Sequence, residues 1–494
     1  MRSAVRALPT NASAGGHTIL FVFDAWSARN VDLFGYPRQT MPNLARFAQS
    51  ADVFTQHHSA ATFTTPGVTT LLSGLHPITH RANTIKAILP RAHANQTIFQ
   101  AAQGRLNTVG YSQNPYADQL LGQAQGQGSL RQHIRRSSFN SEQVMLFDAA
   151  PFGIQPFQND SYTAYNAFDS GMATESAEVE GSLILGPALA FYRRQQTAKL
   201  AEQLSATYPT DIPEAIEQFT IKDTVNGMIT TLQSLQEPSL VYFHIIPPHA
   251  PYAPYQKYKE LFEQDGYQPQ MHSTHPLVGK RRKKSKKEEI ARERALYDAY
   301  LASLDEELAS LFGYLQSSGL KENSNIVFTA DHGELFDHGN VGHNCPLLSE
   351  PLIHVPLIIS KAGQQSGARI DQITSSTDVM PTLCALAGLP VPDWAEGHNL
   401  YSPAAQDPSR AVFSFDGREQ NLNDPFNEFG LSVIRNGKKA IHYWYGKELL
   451  TEYYDLRNDP DEMTNLFGKR SDGFANVEAL LREKEKTMGV DLPV

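Results

Sequence analysis

HTILFVFD, residues 17–24, is a run of apolar, β-branched and aromatic side chains that ends on a carboxylate. A run without polar alternation is the pattern of a strand covered on both faces, as in a parallel sheet. Working outward, LNTVGY (106–111), SLVYFHI (239–245), NIVFTAD (325–331) and VPLIIS (355–360) read as further strands, with helical patterns between them. Alternation of this kind implies an α/β fold with a mostly parallel central sheet. MPNLARFAQS (41–50) has helical spacing, and VFTQHHSAATFTTPGVTTLLSG (53–74) reads as a short strand, a polar loop and a helix. Pro66 suits the first helical position there, with Thr64 or Thr65 capping and Gly74 just past the end. Residues 288–315 read as one long amphipathic helix leading into NIVFTAD.

After about residue 403 the pattern changes to AVFSF, LSVIR, KAIHYW and EYYDL, spaced like an antiparallel sheet. The expected organisation is a main α/β domain over 15–401, with an insertion of loops and helices at about 113–230, and a small C-terminal subdomain over 402–494.

The 494 residues are 41% hydrophobic and 19% charged, which leaves ample material for a core and excludes wholesale disorder. A net charge of −10 disfavours a surface built for nucleic acid, so an anionic partner must be met locally. Two cysteines, Cys345 and Cys384, supply neither a disulfide framework nor a Cys-rich zinc site. No window approaches the ~18–20 apolar residues of a membrane span, and the first residues lack the apolar segment of a signal peptide. The expected setting is cytoplasmic, without a transmembrane anchor.

In open α/β sheets ligands bind beyond the carboxyl ends of the strands. Asp24 ends the first strand, Asp331-His332-Gly333-Glu334 ends NIVFTAD, and His244 and His249 lie at or just after the end of SLVYFHI. Two carboxylates and an imidazole on one rim would make a divalent-metal site. Thr64 adds a hydroxyl near a helix start, where a metal could strip its proton and amides could receive a charged group. On chemistry alone Thr62, Thr65, Thr69 and Thr70 compete for that role, and an N-cap is the bland alternative.

The order of these motifs resembles the sulfatase-like branch of the alkaline phosphatase superfamily. The resemblance runs through TMPNLARFA (40–48), TTPGVTTLLSGLHP (64–77), PPHAPYAPYQKY (247–258), YDAYLASLDEELASLFGYLQSSGL (297–320) and FTADHGELFDHGNVGH (328–343). It continues through HVPLIIS (354–360) and STDVMPTLCALAGLPVPD (376–393), and closes with YYDLRNDPDEMTNL (453–466). It implies an alkaline-phosphatase-like three-layer sandwich with a small C-terminal α+β subdomain. By the same resemblance Asp24, Thr64, Asp331 and His332 are metal ligands, Thr64 is also the nucleophile, and His249 contacts the transferred group or protonates the leaving group. His343 stands where sulfatases usually carry lysine, so it is a second anion contact or a ligand for another metal. Asn114 falls where sulfatases place substrate contacts. His244 and His338 are read as structural, and Glu334 as a neighbour of the site.

Sulfatases that this chain resembles carry Cys or Ser followed by x-Pro-x-Arg, and oxidise that side chain to formylglycine. Here the stretch is Thr64-Thr65-Pro66-Gly67-Val68. A secondary alcohol would oxidise to a ketone, and valine replaces the arginine, so the resemblance turns to threonine-nucleophile phosphodiesterases and to phosphoethanolamine and phosphoglycerol transferases. Ala25 stands where sulfatases commonly have a second aspartate for calcium. Ca2+ prefers ~6–8 oxygens, so the retained set favours Zn2+ or Mn2+ over Ca2+ or Mg2+. The run Lys280 to Lys287 places seven positive charges in eight residues, a solvated segment or a lip that attracts anions such as acidic head groups. The sequence reading is therefore a metal-dependent hydrolase of phosphate mono- or diesters, acting on an anionic ester, a glycan or lipid head group among the candidates. A soluble transferase, a sulfuric ester hydrolase and a non-catalytic binding module are the alternatives.

Overall fold

Strand β1 (Thr18–Phe23) lies near the middle of an eight-stranded sheet in the computed structural model, which describes residues 16–84, 87–136, 202, 207, 208, 220–281, 284–418, 428–468 and 471–488. The other members are β2 (Asp52–His58), β3 (Asn107–Ser112), β4 (Gln132–Arg135), β5 (Ser239–Ile245), β6 (Asn325–Ala330), β9 (Leu357–Ser360) and β10 (Arg369–Ser375). A separate hairpin is made by β7 (Phe336–Asp337) and β8 (Asn340–Val341). Across the sheet the order is β10-β2-β9-β6-β1-β5-β3-β4, and β9 alone runs against its neighbours.

The unbroken apolar character of residues 17–24 has a direct explanation. Ile19, Phe21 and Phe23 point into one buried cluster and Leu20 and Val22 into another. On the first face lies the long helix α5 (Lys287–Ser317), through Tyr297, Leu301, Leu304 and Leu308. Phe21 stacks there between Phe243 and Phe328, each ring centroid 4.8 Å away. On the second face lie α2 (Thr64–Ser73), α3 (Pro115–Gly126) and α6 (Val379–Leu386), contributing Val68, Leu71, Leu120, Leu121, Met380 and Leu383. The result is a helix–sheet–helix sandwich; α1 (Pro42–Phe47) and α4 (Ile221–Gln233) complete the first face through Leu44, Val225 and Met228.

The weakly periodic stretch at 113–230, expected as loops and helices over the sheet, adds an edge strand to helices among its described residues. Its first part supplies α3 and the edge strand β4, and its end supplies α4. Amide and small side chains at buried positions of PYADQLLGQAQG, Gln119, Gly122 and Gln123, dilute the apolar period of a helix whose Leu120, Leu121 and Ala124 are buried. Residues 137–201, 203–206 and 209–219 of that stretch lie outside the described residues, as do the side chains of 280–283 in the basic run.

The C-terminal runs form the antiparallel sheet β11 (Val412–Asp416), β12 (Glu428–Arg435), β13 (Lys438–Tyr445) and β14 (Glu448–Asp455). Helix α7 (Ala475–Thr487) covers it, with Val477 and Leu481 buried against Leu431, Val433 and Trp444. Strand β11 is stitched to the main body by a Phe415 N–H donated to the Ala60 carbonyl at 2.9 Å. Among the described residues no helix is long and apolar enough to cross a membrane.

Helix α2 ends at Gly74, whose φ of +70° gives the left-handed cap expected from sequence. Its start is pressed onto the end of β6, so that a Cβ on Gly67 would come within 2.5 Å of the Asp331 carbonyl oxygen. Gly67→Ala is therefore expected to lower stability by about 1–3 kcal/mol, read as a lower denaturation midpoint.

Candidate active site

Register brings the strand ends together. Phe23 pairs with Ala330 of β6 and Ile245 of β5, and His244 pairs with both Val22 and Ser112 of β3. Asp24, Asp331, His244 and Asn114 therefore emerge at one edge. The Asp24 N–H donates to the Ile245 carbonyl at 3.0 Å, which fixes the carboxylate at the rim.

Asp24, Asp331 and His332 are completely buried. His332 Nε2 lies 3.4 Å from Asp24 Oδ1, 3.6 Å from Asp331 Oδ2 and 3.4 Å from Thr64 Oγ1. Its Nδ1 donates to the Gly333 carbonyl at 2.9 Å, so the tautomer that leaves Nε2 as a donor atom is held in place. The Thr64 hydroxyl does not cap α2. Phe63 is the N-cap residue and no side chain caps the helix, which corrects the expected cap at Thr64 or Thr65. Extended backbone at Phe63 starts the helix two residues earlier than Pro66 suggests, so Thr64 falls at its first turn.

The electrostatics mark a site that calls for positive charge. Burial alone would raise the Asp24 pKa, but the His249 charge, the His244 hydrogen bond and the close approach of His332 outweigh it and hold it well below the usual range. Asp331 is pushed upward by burial and then by repulsion from Asp24. Burial opposes the charging of His332, yet Asp331 and Asp24 raise it to about 9. Asp24 Oδ1 and Asp331 Oδ2 are buried oxygens without a hydrogen-bond partner. Two such oxygens facing an imidazole and a hydroxyl fit a divalent cation, which satisfies both at once.

A second group borders the first. The His343 ring is 4.3 Å from His332 and 4.8 Å from His249, measured between centroids. His343 Nδ1 donates to Glu334 Oε1 at 2.9 Å, and Tyr252 donates to Glu334 Oε2 at 3.1 Å. Burial pushes His343 down to about 4 although Glu334 opposes it, leaving the imidazole neutral near pH 7. His249 keeps Nδ1 against the Ala250 carbonyl.

Asn114 is turned inward: its Nδ2 donates to Asp24 Oδ2 at 2.5 Å while its Oδ1 accepts from Tyr116 N–H and caps α3. Sequence reading treated His244 as structural, but its Nε2 stands 3.3 Å from Asp24 Oδ2 and 3.9 Å from Asp331 Oδ2. The signal available was its place at the end of a buried strand. Arg418 and Asp416, after and at the end of β11, were not foreseen at all. Arg418 donates to the His343 carbonyl and, at 2.9 Å, to the Thr62 hydroxyl, which in turn donates to Asp416. The C-terminal sheet thus ties down the loops carrying Thr64 and His343. His338 lies away from this group, stacked on His272 at 4.1 Å.

With this geometry in view, the comparisons with known proteins decide the family. The sequence model described as Sulfatase matches residues 17–389. The chain belongs to the sulfatase family. A second model, N-sulphoglucosamine sulphohydrolase, C-terminal, matches residues 342–489 of this sulfatase-family chain. Among relatives, Arylsulfatase K of Bos taurus is 30% identical over 204 residues, covering 39% of this chain and 37% of the relative. The Multifunctional alkaline phosphatase superfamily protein PehA of Trinickia caryophylli is 32% identical over 199 residues, covering 36% and 37%. The chain thus spans little more than a third of the length of these curated relatives. The phosphonate monoester hydrolase of Agrobacterium radiobacter superposes with a TM-score of 0.68 at 18% identity, over 96% of this chain and 95% of that one. A 2-O GAG sulfatase superposes with a TM-score of 0.63 at 16% identity, over 97% and 93%. These two establish the alkaline-phosphatase-like sandwich, as expected from sequence.

Two outcomes follow from the paired carboxylates. Asp331→Asn keeps Oδ1 for the Ala25 and His332 N–H groups, at 3.3 and 2.9 Å, and removes the repulsion with Asp24. The metal-free variant should melt no lower than wild type, yet lose the rise in melting temperature expected when a divalent cation is added to wild type, a rise worth about 4 kcal/mol at 1,000 times Kd. Because the His332 pKa is raised to about 9, proton and cation compete for Nε2 below that pH. Zn2+ affinity, measured by competition with a chromophoric chelator, should rise about tenfold per pH unit up to about pH 9. The same shift stabilises the metal-free fold below about pH 6.5, a contribution lost as pH climbs through about 9.

Proposed function

We propose that this sulfatase-family chain hydrolyses phosphate mono- or diesters through a covalent intermediate on Thr64. The observation that carries the reading is the threonine itself, a secondary alcohol at the first turn of α2, 3.4 Å from His332 Nε2 and followed four residues later by the fully buried Val68. Neither feature serves a formylglycine, whose aldehyde requires a primary alcohol or thiol precursor. Asp24, Asp331, His332 and Thr64 would hold the divalent cation, with Zn2+ or Mn2+ favoured over Ca2+ or Mg2+ because an imidazole is among the donors. Such a cation, when bound, lowers the pKa of a hydroxyl and neutralises charge on phosphoryl oxygens.

The remaining chemistry belongs to the chain. Thr64 Oγ1, deprotonated, attacks phosphorus, and the leaving oxygen takes a proton from His249. Amides at the start of α2 donate to the charged oxygens. Water then attacks the phosphothreonine and the bond between phosphorus and Oγ1 breaks. His343, neutral and oriented by Glu334, takes the proton of that water at Nε2. An alcohol in place of water would make the same sequence a transfer, and Lys284 to Lys287 at the start of α5 would favour an anionic ester such as a lipid head group or glycan substituent.

A sulfate ester is the second reading, favoured by the identity to Arylsulfatase K. The test is p-nitrophenol release from matched phosphate monoester, phosphate diester and sulfate ester substrates with Mn2+ or Zn2+, subtracting the rate of Thr64→Ala. A phosphate ester should dominate, and the variant should lose about 10³-fold or more of that rate. A dominant Thr64-dependent sulfate rate would replace the first reading with the second.

A further inference from the structure

Among the described residues, His244 is an imidazole of the rim to which the proposed reaction gives no role. It sits on β5, on the opposite side of β1 from His332, which follows β6. The two rings are placed as counterparts. Each is completely buried, each has Nδ1 engaged by an oxygen, and each directs Nε2 at the same carboxylate pair. For His332 the Nδ1 partner is the Gly333 carbonyl at 2.9 Å, and for His244 it is the Tyr242 hydroxyl at 3.1 Å. That arrangement, one nitrogen tied and the other turned toward a charged centre with only a long 3.3 Å contact to Asp24 Oδ2, is how proteins orient a metal-binding histidine.

Spacing separates this arrangement from a simple ion pair. A charged imidazole bonded to a carboxylate closes to about 2.7–2.9 Å. His244 Nε2 instead stands 3.3 Å from Asp24 Oδ2 and 3.9 Å from Asp331 Oδ2, and His332 Nε2 stands 3.4 and 3.6 Å from the facing oxygens. Donor atoms about 2.0–2.2 Å from a zinc-sized ion stand about 3.3–3.6 Å apart at a tetrahedral angle and about 3.5–3.8 Å apart at the 120° angle of a five-coordinate site, so the three shorter separations match and the 3.9 Å one lies just beyond. Asp331 Oδ2 also lacks a hydrogen-bond partner although both Nε2 atoms are near, as expected where a shared cation, rather than a proton, joins the three.

We infer that His244 is a further ligand of the cation at this site, completing a donor set of two imidazoles, the Asp24 and Asp331 carboxylates and the Thr64 hydroxyl. The inference rests on the reading of the rim as a metal centre and adds a selectivity to it. A second nitrogen shifts preference toward Zn2+ and away from Mg2+ and Ca2+.

The experiment uses the full chain, stripped of metal and reloaded with one equivalent of Co2+ or Zn2+, as wild type, His244→Ala and His244→Gln, with near-ultraviolet circular dichroism to verify folding. X-ray absorption of the wild-type zinc protein should count two imidazoles, and one in either variant. The visible Co2+ band should weaken and shift in the variants, and Zn2+ affinity should fall about 100-fold or more while Mg2+ affinity changes little. Should neither variant fold, the imidazole count on wild type decides alone. A single imidazole there, or a variant with wild-type spectrum and affinity, overturns the inference. Wild type that takes up no metal overturns both it and the metal-centre reading. A Thr64→Ala protein that keeps its phosphate-ester rate, while wild type still shows two imidazoles on its zinc, overturns the proposed reaction alone and leaves His244 a ligand.

Discussion

Two carboxylates buried side by side, Asp24 and Asp331, are the constraint around which the rest of this structure is arranged. Neither reaches solvent, and burial followed by their mutual repulsion drives Asp331 upward while histidines hold Asp24 low. A fold selected for stability alone would not place them together, because unpaired buried charge costs several kcal/mol. Positive charge at this rim relieves that cost, and every nearby group supplies it or positions what does. Asn114 fixes one oxygen of Asp24, the Ala25 and His332 amides fix one oxygen of Asp331, and His332 and His244 approach from either side.

The sheet makes this possible. Parallel strands β5, β1 and β6 end level with one another, so residues hundreds of positions apart in the chain arrive at one edge. Phe21 between Phe243 and Phe328 locks the same three strands together on the face below. The rigidity of that aromatic stack is what keeps the donor atoms at fixed spacing, since packed cores deform little. On the other face, helix α2 is held so close to the end of β6 that only glycine fits at position 67, and this contact delivers Thr64 to His332.

The C-terminal sheet is part of the site through its connections. Arg418 and Asp416 bind the Thr62 hydroxyl and, through Arg418, the His343 carbonyl. Loss of that sheet would free both the Thr62 loop that precedes α2 and the His343 loop, so the antiparallel unit has a positioning role that its own residues, viewed as a sequence of short strands, do not announce.

How much of this was legible in the chain depends on whether a feature is local. Burial of a strand on both faces is recorded in its own residues, and so HTILFVFD, SLVYFHI and NIVFTAD were readable as parallel strands, as was the long helix now seen at Lys287–Ser317. Asp24, Thr64, Asp331 and His332 stood out because motif order marks them. Helix α3 was obscured because small and amide side chains dilute its apolar period, and the cap expected at Thr64 was displaced because a backbone conformation at Phe63 has no residue-type signature. His244 and Arg418 take their meaning from neighbours across the sheet, which only register and packing supply. The sequence by itself determined the strands, the core and the kinds of donor at the rim. The tertiary structure alone decided which donors share a point in space, because that follows from strand order and register, properties of pairs of segments that neither segment encodes.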